Sequence, residues 1–75
     1  MPEFKPNVEL LRELRRVRGF SQKEVSDGIG YKSPSSYIMI ELGQRKVSTE
    51  TANAISEFLG FSADECLMVF FPSFA

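Results

Sequence analysis

Between Ser21 and Lys46 the chain reads SQKEVSDGIGYKSPSSYIMIELGQRK, and its caps and stops leave little choice of local structure. Ser21-Gln22-Lys23-Glu24 is a capping box: the Ser21 hydroxyl accepts from an early backbone N–H and Glu24 reaches back to the cap. A helix starts there and buries Val25 and Ile29. Asp27-Gly28-Ile29-Gly30 ends it with two glycines, and Gly28 in its last turn costs on the order of 1 kcal/mol relative to alanine, so the helix is short. Ser33 followed by Pro34 is an N-cap with proline at the first helical position, where the missing N–H is harmless. The next helix runs from Pro34 to about Leu42, and Gly43 stops it. Two short helices, a tight turn and the basic loop Gln44-Arg45-Lys46 are therefore expected in sequence.

The flanking segments repeat the pattern. Asn7 caps a first helix to about Arg18, with Leu10, Leu11, Leu14 and Val17 at spacings of three and four on one face, and Gly19 ends it. Ser48 caps a fourth helix to about Leu59, with Ala52, Ile55 and Leu59 as its apolar stripe and Gly60 as its stop. Ser62-Ala63-Asp64-Glu65 is a second capping box, opening a fifth helix that Pro72 closes. Nothing alternates with period two over a useful length, so the fold expected is all-α: a compact bundle of five short helices. Residues 1–75 form one domain, with a core over about 7–71, the paired helices at 21–43 and an apolar tail at 66–75.

A chain of 75 residues buries only a small core and gains from a partner, and a large enzyme cleft does not fit. With one cysteine and no histidine, it lacks disulfide frameworks, ordinary zinc sites, Cys-His pairs and histidine acid/base chemistry. Cys66 reads as a buried small apolar side chain. No catalytic residue, no metal ligand, no cofactor and no small-molecule substrate is expected, and the chain reads as a non-enzyme. MPEFKPN has neither the basic start nor the apolar run of a secretory signal, and position 2 is not the glycine of a myristoylation signal. The apolar run CLMVFF is too short to span a bilayer, so a cytoplasmic chain without a membrane partner is expected.

Charge is unevenly distributed. Residues 1–46 hold nine cations (Lys5, Arg12, Arg15, Arg16, Arg18, Lys23, Lys32, Arg45 and Lys46) against six acids, net +3; residues 47–75 hold four acids and no cation, net −4. One end of the domain can face phosphate while the other faces away. For Arg12, Arg16 and Arg18 on the first helix the plain reading is a solvated surface.

LRELRRVRGFSQ leading into the second helix, the Gly30 turn, Ile40-Glu41-x-Gly43 and Leu59-Gly60-Phe61-Ser62 together resemble the lambda-repressor-like, Cro/C1-type helix-turn-helix family of phage repressors and bacterial regulators. The resemblance covers about residues 8–70. It implies double-stranded DNA as partner, with Gln22 on a DNA phosphate and Gln44, Arg45 and Lys46 in a loop that touches the backbone. Arg15 and Glu41 match a family ion pair between the first and third helices, read as structural. Lys23 and Lys32 are further candidates for phosphate contact. The spacing from Gly30 to Glu41 is one residue longer than usual in the family, which lengthens the turn Tyr31-Lys32-Ser33.

Counting back from Glu41 puts Tyr37 and Ile40 on the core side and leaves Pro34, Ser35, Ile38, Met39 and Leu42 outward. In a DNA reader the early outward residues, with Ser36, enter the major groove, where hydroxyls pair with either base type and apolar atoms meet thymine methyls. Plain readings stand beside these: Ser33 only caps, Ser36 only packs, Gln22 is only solvated. The outward face has no Arg, Lys, Asn or Gln, the side chains that make bidentate base contacts worth about 1–3 kcal/mol each. Two functions follow: a DNA-binding regulator of the phage Cro/repressor type, or an antirepressor that grips a repressor protein through the apolar stripe Pro34, Ile38, Met39 and Leu42. By analogy with family members, Leu67, Met68, Phe70 and Phe71 are candidates for a homodimer contact, or else the end is disordered beyond Pro72; packing of Phe70 and Phe71 beneath the first helix is the plain alternative.

Overall fold

Each helix begins where a side chain can accept one of the N–H groups that the first turn leaves without a partner. The computed structural model describes residues 3–74, with side chains described from 5 to 73. Pro2, Ala75 and the side chain of Phe74 in the expected tail lie outside the described residues. The helices are α1 Val8–Val17, α2 Gln22–Gly28, α3 Pro34–Glu41, α4 Thr49–Leu59 and α5 Ala63–Phe70, capped by Asn7, Ser21, Ser33, Ser48 and Ser62. Both capping boxes are closed: Ser21 Oγ accepts from Glu24 N at 3.0 Å and Ser62 Oγ from Glu65 N at 3.1 Å. The chain is an all-α bundle of five short helices. None of the described helices is long and apolar enough to cross a membrane.

The core gathers side chains from every helix: Leu11, Val25, Tyr37, Ile40, Ala52, Ile55, Leu59, Val69 and Phe70, with Val47 from the segment before α4. These are fully apolar apart from the Tyr37 hydroxyl, so their removal from water supplies the main drive to fold. An added feature without helical signature is a two-residue strand, β1 Glu3–Phe4, antiparallel to β2 Val47–Ser48, with Phe4 opposite Val47. Two paired residues leave no alternation to detect in sequence. The start of the chain is nevertheless stitched to the exit of the loop after α3, and Asn7 N donates to the Val69 carbonyl of α5 at 2.6 Å.

Several expectations are corrected. Val17, expected on the apolar face of α1, is 76% exposed. The inward position at that end belongs to Arg18, whose guanidinium lies 5.2 Å from the Phe61 ring centroid and donates to both Glu65 carboxylate oxygens at 2.8 Å. A long side chain can bury its stem and ring-facing plane while its charge meets a carboxylate, so Arg18 is no solvated bystander. Arg12 is not simply solvated either: its Nη2 donates to the Glu41 carbonyl at 3.3 Å. Phe70, a dimer candidate, is 1% exposed and belongs to the core, so it has no surface to offer a partner. Cys66 is half-buried and accepts from Ser56 Oγ at 3.3 Å.

Gly28 acquires a packing reason. A Cβ there would stand 2.2 Å from the Phe58 ring of α4, a separation no packed carbon pair tolerates. The ring of Phe58 in turn sits 4.8 Å from that of Phe20, centroid to centroid. The missing side chain lets α4 close on α2.

Candidate nucleic-acid interface

The orientation of α3 decides which residues can meet a ligand, and three buried side chains set it. Tyr37 and Ile40 are fully buried, and Glu41, one step further, is buried as well. Glu41 carries a charge into that position because it is surrounded by donors. Arg15 Nε reaches its Oε2 at 2.6 Å, Arg15 Nη2 its Oε1 at 3.0 Å, and Gln22 Nε2 the same Oε1 at 3.0 Å. Arg15 Nη1 also donates to the Phe20 carbonyl at 2.8 Å, so one guanidinium ties α1 to α3 and to the turn before α2.

Such a fork-to-fork pair is the geometry in which a guanidinium and a carboxylate bind best. Burial alone would raise the Glu41 carboxyl, but the hydrogen bonds from Arg15 and Gln22 and the charge of Arg15 outweigh it and hold the group below its ordinary range. The Arg15 guanidinium is correspondingly raised, chiefly by its hydrogen bond to Glu41. Burial pushes the Tyr37 phenol up, and its hydroxyl lies without a partner in hydrogen-bonding geometry. Gln22 is thus half-buried and oriented by Glu41; one of its two amide hydrogens is engaged there.

With that face turned inward, the opposite face of α3 is presented. Leu42 is 61% and Met39 40% exposed, Ser35 is exposed, and Pro34, Ser36 and Ile38 are half-buried. Ser33 Oγ accepts from Ser35 N at 3.3 Å and donates to Ser35 Oγ at 3.2 Å, which leaves the Ser35 hydrogen for another acceptor. Ser26, which sequence reading passed over, is fully buried in α2 and donates from Oγ to the Ser33 carbonyl at 3.0 Å. It pins the turn Tyr31-Lys32-Ser33 to α2. The signal was there: Ser26 stands three residues before Ile29, on the buried side of the helix.

The cationic candidates come before and after this helix along the chain. Lys23 and Lys32 are exposed; Lys23 Nζ lies 2.9 Å from Asp27 Oδ2 one turn along α2, and that hydrogen bond raises its pKa. After α3, Gly43 adopts φ 75°, a left-handed conformation that costs glycine nothing, and Gln44 N closes back on the Met39 carbonyl at 2.9 Å. Gln44, Arg45 and Lys46 then project into solvent before buried Val47 and the β1–β2 pairing anchor the chain again. The loop is held at both ends. Of the dimer candidates, Leu67 and Met68 are exposed and Phe71 is half-buried.

A family model described as "Helix-turn-helix domain" matches residues 8–69, and the chain belongs to that family. No curated protein and no solved structure matches it. Membership covers both helices of the motif, the turn and all of α1 and α4, and it suggests a DNA-binding regulator.

Proposed function

We propose that the chain is a DNA-binding transcriptional regulator of the phage Cro/repressor type, which lays α3 in the major groove of double-stranded DNA. The observation that carries this reading is the arrangement around α3: an outward face of Pro34, Ser35, Ser36 and Met39, with Lys23 and Lys32 ahead of it and Gln44, Arg45 and Lys46 behind it. Exposed cations in the segments that precede and follow a helix with an outward face suit the phosphates that border a groove. Gln22, at the start of α2, adds an amide N–H to a phosphate while Glu41 holds it. The excess of positive charge before residue 47 supplies the non-specific attraction.

A second reading is favoured by the same face. Met39 and Leu42 are exposed beside Ile38 and Pro34, with no amide or charge among them, which suits a protein surface as well as a groove. Under that reading the chain is an antirepressor whose partner is a repressor protein. Exposed Leu67 and Met68 support a homodimer through α5; on DNA, two α3 helices would then sit about 34 Å apart, one helical turn.

Titration of the purified chain with random-sequence duplex at rising salt separates the readings. A DNA reader weakens steeply with salt, whereas no measurable binding even at low salt would sink the first reading and leave the second.

A further inference from the structure

The turn before α3 and the loop after it meet. The Arg45 guanidinium carbon lies over the Tyr31 ring, 5.6 Å from its centroid, within the roughly 6 Å over which a ring face attracts a cation. We propose that Tyr31 is a positioning residue: its ring is the platform that holds Arg45 at the edge of α3, joining turn and loop into one phosphate-binding rim. This rests on the DNA-binding reading above.

Both partners are suited to those roles. Tyr31 is half-buried and packed on the core, and its backbone N–H donates to the Ser26 carbonyl at 3.0 Å. Its ring is therefore a fixed object. Arg45 is an exposed residue on a loop, and the pair with Tyr31 is what ties it to the rest of the domain. A free arginine side chain loses rotamer freedom when it grips a phosphate; one already held against a ring loses less, and binding gains the difference. Tyr31 contributes this without touching DNA. A guanidinium held by a ring rather than by a carboxylate keeps its N–H donors for oxygen acceptors. The turn Tyr31-Lys32-Ser33 matters here, because it carries Tyr31 alongside Arg45.

The test compares the full chain with Tyr31→Phe, Tyr31→Leu, Arg45→Ala and the Tyr31→Leu/Arg45→Ala double variant. Each is titrated with random-sequence duplex at several salt concentrations, with circular dichroism as the check on folding. Tyr31→Phe keeps the ring and should bind within about two-fold of the parent. Tyr31→Leu fills the same core space without a π face and should bind about two- to five-fold more weakly, to all sequences alike. Arg45→Ala should lower the slope of log affinity on log salt by about one, and Tyr31→Leu should add nothing in that background. An equal loss from Tyr31→Leu with and without Arg45 would overturn the platform. In the DNA-free protein, the Arg45 side-chain protons should show ring-current shifts in the parent and in Tyr31→Phe but not in Tyr31→Leu; no shift in the parent also overturns it. Failure of the parent to bind any duplex would overturn the DNA reading and this role together, whereas parental binding with unaffected Tyr31→Leu would overturn the platform alone.

Discussion

Gly28→Ala separates what helix propensity says from what packing says, because the two differ in sign. In an isolated helix, alanine in place of glycine stabilises by about 1 kcal/mol. Here the new Cβ meets the Phe58 ring at 2.2 Å, so the ring must swing away or α2 and α4 must separate. Overfilling a packed contact costs about 1–3 kcal/mol, and displacement of the ring also forfeits its contact with Phe20, worth about 0.5–1.5 kcal/mol for an aromatic pair. The net effect expected is destabilisation by about 0.5–3.5 kcal/mol. In a Phe58→Ala background the obstacle is gone, and Gly28→Ala should there stabilise by about 1 kcal/mol, a coupling of about 1.5–4.5 kcal/mol between the two positions. Urea unfolding followed by far-ultraviolet circular dichroism reads all four corners of the cycle, since the chain has no tryptophan. Stabilisation by Gly28→Ala in the parent as well as in Phe58→Ala would refute the packing account.

Removal of one partner of the buried pair, as in Arg15→Met, should cost about 3–5 kcal/mol, and Arg15→Met/Glu41→Leu should recover much of it; equal losses in the single and double variants would contradict a stranded charge as the cause. Acid should act through the same carboxylate. Glu41 is held below its ordinary 4.5, so its contribution is fully present above that value and drains away as pH falls through the lower folded-state pKa; Glu41→Gln should flatten that limb of a urea-midpoint profile. Half-buried Glu65, lowered chiefly by its hydrogen bond from Arg18, acts in the same direction and weakly. If α3 reads thymine methyls, duplex with deoxyuridine in place of thymidine should bind up to about four-fold more weakly per methyl buried, from about 0.8 kcal/mol each, and Met39→Ala should erase that difference. Equal affinity of the parent for both duplexes would exclude methyl contact by Met39.

The helices were legible because a cap is a local device. Ser21 with Glu24 and Ser62 with Glu65 act over three residues, and glycine at 43 and 60 needs only its own backbone freedom, so the order of residues carries their geometry. The inward turn of α3 was legible too, since Tyr37, Ile40 and Glu41 share one side of a helix whose spacing is known. What depended on distant partners was not legible. Whether Val17 or Arg18 takes the inner place at the end of α1 hangs on Phe61 and Glu65, more than forty positions away. Gly28 looked like a weak helix residue until Phe58 arrived from α4, and Phe70 looked like a sticky tail until the core closed over it. At the candidate site, the residue types were evident but their coupling was not: Gln22 on Glu41, Ser26 on Ser33 and Arg45 on Tyr31 are contacts between separate segments. Period, cap and stop are properties of neighbours along the chain, whereas the choice among equally apolar or equally charged candidates is made by whichever surface folds against them.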